Sequence, residues 1–175
     1  MTEEQPHALT DKEMRAYLDN KCNLVMYSDI RKYKSVDELL GKYGRCIILY
    51  IWKQNSNNQS EGHWVSIVKT ADNKIRFTDS FGAIVDKPIE KLSKYDRQRF
   101  NENYKYLSDL LINCPYKLEY NEKRIQNKHS QVCGYYTILA CIMANEPLKS
   151  FQNLFSKDTL ANDKLLFYLI TGNQS

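Results

Sequence analysis

Glycine and proline are scarce, 6 and 4 in 175 residues, which leaves no material for a flexible Gly/Ser linker or a Pro-rich spacer. Internal repeats are absent too, so one domain over residues 1–175 is expected. No apolar run approaches the roughly 20 residues of a membrane-spanning helix, and the best, Cys46 to Trp52, is strand-sized. A membrane protein is excluded on that ground. Met1 to Pro6 is polar and acidic and lacks the basic start and apolar stretch of a secretory signal. With an odd number of cysteines, five, this points to a reducing compartment and not to a disulfide scaffold. Cys22, Cys46, Cys114, Cys133 and Cys141 show no CxxC spacing and no paired histidine cluster, so no metal and no cofactor is expected. The net charge of +4 is spread along the chain, unlike the concentrated basic face of a dedicated nucleic-acid binder.

What remains is an ordinary globular composition, 42% hydrophobic and 26% charged, with legible punctuation. Thr10 and Glu13 have the spacing of a capping box, and Met14, Tyr17 and Leu18 follow at helical spacing, which predicts a helix over Leu9 to Asp19. Ser35 and Glu38 predict a second, short helix that stops near Gly41 and Gly44. CIILYIW, from Cys46 to Trp52, suits a strand buried on both faces. A polar loop, Lys53 to Gly62, then precedes HWVSIVK, a strand that His63 begins. After an Asp72-Asn73 turn a third strand runs from Lys74 to about Ser80, completing an antiparallel meander. Pro88 to Asn113 reads as one or two half-exposed helices, Tyr116 to Tyr120 as a fourth strand, and Cys133 to Ala144 and Leu160 to Ile170 as helices. The sum is an α+β fold: a central, mainly antiparallel sheet of about 4–5 strands with helices around it.

Among residues able to do chemistry, His63 has the one suggestive address of the three histidines, at a strand start after a polar loop; the same address suits a solvent-facing residue. Cys133 opens an apolar helix, where backbone N–H groups and the helix dipole favour the reactive thiolate. A small buried apolar residue would fit there equally. Asp79 ends the strand beside that of His63, so a hairpin brings the two to one end of the sheet, where a carboxylate can orient an imidazole. In TDSFG it could as well shape a turn. Gln126, seven residues before Cys133, carries an amide able to donate to an oxyanion together with the Cys133 N–H.

The order His, acid, Gln, Cys and the blocks GHWVSIV, RFTDSFG and QNKHSQVCGYYTILAC resemble the adenain-like, or adenovirus-type, cysteine endopeptidases, relatives of the proteases that process ubiquitin-like modifiers. The resemblance covers Cys46 to about Met143. It implies the fold of that family, with the nucleophile at the N-terminus of a buried helix, and a thiol endopeptidase with Cys133 as nucleophile, His63 as base and then acid, Asp79 orienting His63, and Gln126 in the oxyanion hole. Trp64 is implied as part of a narrow, glycine-selecting substrate channel. The implied role is a monomeric viral protease that cuts capsid or core precursors during maturation, in host cytoplasm or virus factory and packaged in the virion. Two alternatives stay open: a protease for a ubiquitin-like modifier, and an inactive binding module of the same fold. The adenovirus enzyme is stimulated by DNA and by a peptide joined through a disulfide, and neither carries over to this sequence: no cysteine here is identifiable as the partner of such a peptide, while Lys87, Lys91, Lys94, Arg97 and Arg99 could offer DNA a modest basic patch or simply form a solvated face.

Overall fold

The computed structural model describes residues 5–54, 56–57 and 60–172. Five strands form one sheet in the sequential order β1 to β5: β1 (Asn23–Met26), β2 (Arg45–Gln54), β3 (Ser60–Lys69), β4 (Lys74–Thr78) and β5 (Lys117–Tyr120). The centre, β2 through β4, is the expected antiparallel meander, while both outer pairings, β1 with β2 and β4 with β5, are parallel. With helices packed around this mixed sheet, the fold is α+β. Among the described residues no helix is long and apolar enough to cross a membrane.

Several helix ends follow local chemistry. In α1 (Asp11–Tyr17) both halves of the Thr10–Glu13 capping box are formed. In α2 (Val36–Leu40) Ser35 caps the Glu38 N–H and Gly41 leaves the helix at φ 64°. The helix α5 (Cys133–Ile142) is buried at every position but its last, as an all-apolar helix must be. It lies on the sheet between α1 and the C-terminal helix α7 (Thr159–Thr171), with Met14, Trp64, Ile138 and Phe167 in one core cluster. The buried Arg76 of β4 ties the sheet to the far end of α5. It pairs with Glu119 at 2.7 Å and donates to the carbonyls of Met143 and Glu146 at 3.2 and 2.8 Å, so the charge is fully partnered.

The boundaries differ from expectation at instructive places. The loop expected over Lys53 to Gly62 is shorter, because β2 continues to Gln54 and β3 begins at Ser60; Asn55, Asn58 and Gln59 lie outside the described residues. His63 is therefore an interior residue of β3, paired with Tyr50, and not its first. Backbone pairing continues past the apolar core because polar residues satisfy the ladder as well as apolar ones. Pro88 to Asn113 forms three short pieces: a 3-10 turn at Lys87–Lys91, α3 (Lys94–Arg99) and α4 (Tyr106–Ile112). Ser93 restarts the chain as a cap on the Asp96 N–H, and Asn101, at φ 56°, breaks it after α3. The strand β1 and the short helix α6 (Leu148–Gln152) carry no sequence signal strong enough to announce them.

Candidate functional site

Three elements and one loop bring together His63, Asp79, Gln126 and Cys133. The imidazole of His63 projects from β3 next to a place where β2 and β3 approach unusually closely: a Cβ on the preceding Gly62 would lie 1.8 Å from the Tyr50 carbonyl oxygen. Only glycine fits there. Just beyond β4 the chain turns, and Asp79 Oδ1 accepts from both the Phe81 N–H and His63 Nε2, each at 2.8 Å. The carboxylate thus shapes the turn and holds the histidine at once. Both side chains are 1% exposed.

A carboxylate can only accept, so Nε2 carries a proton. The other ring nitrogen, Nδ1, is buried without a hydrogen bond among the described residues. Burial pushes the imidazole pKa down, but the charge and hydrogen bond of Asp79, with a further contribution from nearby Cys133, outweigh it and raise the pKa to about 9. Cys133 stands at the first position of α5 and is 6% exposed. The helix leaves the N–H groups of its opening residues without intrahelical partners. Gly134 permits close packing there, since a Cβ would meet Leu9 and the Met14 sulfur at 3.0 Å.

Gln126 is buried in the loop before α5. Its backbone N–H and that of Ile125 both donate to the Ser80 carbonyl, at 3.1 and 2.9 Å. Its side-chain oxygen accepts from Ser80 Oγ at 2.5 Å, and its amide nitrogen donates to Ser130, to the carbonyl at 3.0 Å and to Oγ at 3.2 Å. The loop is pinned from behind by α5 and α7: the Tyr136 hydroxyl and the Asn162 amide both donate to the Ile125 carbonyl at 3.0 Å. The single Tyr136 hydroxyl proton is shared with Asp163 Oδ1, at 2.8 Å.

Trp64, expected on a substrate channel, is 6% exposed within the core, its indole N–H donating to the Leu9 carbonyl at 3.0 Å. The indole beside the imidazole belongs to Trp52 instead, stacked at 5.0 Å and 5°. Phe81 stacks on His63 as well, at 4.8 Å and 19°. Neither ring was among the sequence candidates, although Phe81 sits within the TDSFG block and Trp52 closes the apolar run of β2. The remaining histidines, His7 and His129, are exposed. All five cysteines are free, and no group of His, Cys, Asp and Glu among the described residues could hold a metal ion.

No family model matches the chain. A protein of the Sputnik virophage that bears the name "Uncharacterized protein V9" is 31% identical over 169 residues, which span 95% of this chain and 90% of the virophage protein. The chain belongs to that protein's family. The family therefore has a viral member, and the alignment takes in all of β1 to β5 and the four site residues, as its share of the chain requires.

Chemically, the arrangement couples an imidazole, fixed by a carboxylate on one nitrogen, to a thiol at the start of a helix. Such a set can remove a proton from sulfur, retain it on the ring and return it to a leaving group. The backbone N–H groups at the helix start are donors for an anionic oxygen formed at the sulfur.

Proposed function

We propose that the chain is a virus-encoded cysteine endopeptidase that cuts capsid or core precursor proteins at glycine-containing sites during particle maturation. The observation that carries this reading is the buried His63–Asp79 pair, with Asp79 bound to Nε2 and Nδ1 left for the proton of Cys133. In this mechanism the Cys133 proton already rests on His63 Nδ1, as the raised imidazole pKa favours, and the thiolate Sγ attacks the peptide carbonyl. The Cys133 N–H and the Gln126 amide stabilise the oxyanion, Gln126 turning one N–H away from Ser130 to do so. The imidazolium returns its proton to the departing amine, leaving a thioester, and water activated by His63 releases the acid. The glycine preference and the maturation role rest on the resemblance to adenain-like proteases.

Alkylation of each cysteine by iodoacetamide across pH, read by mass spectrometry on wild type and His63→Ala, tests the reading. Burial raises the thiol pKa of Cys22 and Cys46, and that of Cys141 to about 12, so these three should label slowly. Cys133 should label fastest at neutral pH, and more slowly in His63→Ala. Cleavage of glycine-containing peptides should vanish in Cys133→Ala. Labelling of Cys133 no faster than Cys141, with no cleavage, would leave an inert module of the same fold.

A further inference from the structure

Beside the imidazole lies a cavity of about 260 Å³ that Cys133 does not line; its walls include Trp52, Phe81 and Pro88, and His63 and Asp79 reach it from within. Lys91 lines this cavity, and Arg124 lies against the Phe81 ring that forms part of its wall. The Lys91 ammonium lies 4.5 Å from the Trp52 ring centre and 4.6 Å from that of Phe81, and the Arg124 guanidinium lies 5.4 Å from Phe81. Their charges act on one another: burial first, and then Arg124, lower the Lys91 pKa against the pull of Asp79. Neither cation has a carboxylate partner or a hydrogen-bond acceptor among the described residues. Lys87 and Glu90, which also line the cavity, form an exposed ion pair with each other, and Asp79 is paired with His63. Two cations against one aromatic ring, neither of them in an ion pair among the described residues, form a place where an anion lowers the energy of the assembly, with the Asp79 and Glu90 carboxylates of the same cavity opposing it in part.

We infer that this cavity is a substrate subsite for an acidic side chain, Asp or Glu, close to the cleaved bond, with the stem against Trp52 and Phe81 and the carboxylate between Lys91 and Arg124. The inference rests on the protease reading for what occupies the cavity, but not for the charge that it selects. Both cations are exposed, so the selectivity expected is modest, about three- to fivefold.

The test uses the full-length Cys133→Ala protein and acetylated, amidated Gly-Gly-containing hexapeptides that differ by Glu, Gln or Lys at one position, each position taken in turn. Binding is read by tryptophan fluorescence, since Trp52 lines the cavity. At one position Glu should bind about three- to fivefold tighter than Gln, and added salt should reduce the difference. The ratio should fall to about one in Lys91→Met and turn in favour of the Lys peptide in Lys91→Glu. Equal binding of Glu and Gln peptides at every position, no saturable binding of any Glu peptide, or a preference that survives in the Lys91→Met/Arg124→Met double variant overturns the inference. Cleavage by wild type is scored separately. Charge-selective binding without any cleavage removes the protease reading and keeps the subsite; cleavage without charge selectivity does the reverse.

Discussion

Ser80 and Gln126, 46 residues apart, are joined side chain to side chain, with Ser80 Oγ donating to Gln126 Oε1 at 2.5 Å. The residue before Ser80 is Asp79, which holds His63. One dipeptide at the end of β4 therefore positions both the imidazole and the carboxamide. A turn that displaced either partner would displace the other.

Removal of the Ser80 hydroxyl frees the carboxamide to rotate without touching the thiol or the imidazole. Ser80→Ala should therefore lower kcat about ten- to a hundredfold through misplacement, with KM little changed. Gln126→Ala should cost more, on the order of 10²–10³ in kcat, the usual effect of removing an oxyanion donor. Steady-state kinetics on one glycine-containing peptide compares the two, and a Ser80→Ala enzyme with wild-type kcat would separate Ser80 from the site.

The His63–Asp79 pair makes stability depend on pH in a stated direction. The folded pKa, raised from 6.5 to about 9, means that the folded state holds the proton more tightly. The stabilisation is complete below about pH 6.5 and is lost as pH rises through about 9. Asp79→Asn removes its main favourable cause. Melting temperatures from pH 6 to 10 should decline across that window in wild type and stay nearly flat in Asp79→Asn; parallel curves would show that the pair contributes no linkage.

A second buried acid works in a different window. Glu102 is 1% exposed, its Oε1 accepts from the Ile51 N–H at 2.7 Å, and its Oε2 has no hydrogen bond among the described residues. Burial raises its pKa from 4.5 to about 7, against the lowering effect of the Ile51 N–H. A carboxyl with a raised folded pKa stabilises while protonated, and its contribution fades as pH rises from about 4.5 through 7. Glu102→Gln keeps the acceptor and cannot ionise, so it should be more stable than wild type at pH 8, by up to about 3 kcal/mol, and nearly equal to it at about pH 4. Urea denaturation at the two pH values checks this.

Gly62 has no substitute. A Cβ 1.8 Å from the Tyr50 oxygen and 2.9 Å from its carbonyl carbon can be relieved only by parting β2 from β3, which also moves Trp52 from His63. Gly62→Ala should lose about 1–3 kcal/mol of stability and slow the alkylation of Cys133. An unchanged urea midpoint would mean that the two strands are free to separate there.

How much of this was readable beforehand follows the range of the forces involved. Capping at Thr10 and Ser35, the period-two and continuous apolar runs of β2 to β4, and the apolar helix opening at Cys133 are decided within a few residues. They are written in the sequence, as is the chain order of His63, Asp79, Gln126 and Cys133. Antiparallel hairpins joined by short turns leave little freedom in pairing, so the proximity of His63 to Asp79 could be expected too. The sequence could not say that β1 and β5 would join parallel to their neighbours, because those pairings span connections of about 20 to 40 residues and leave no local mark. Nor could it choose between two tryptophans. Trp64, adjacent to His63 in sequence, is drawn into the core under α5, whereas Trp52 reaches the imidazole from the neighbouring strand. Contacts across a sheet and between a loop and two helices depend on register and packing, and only the folded chain sets those.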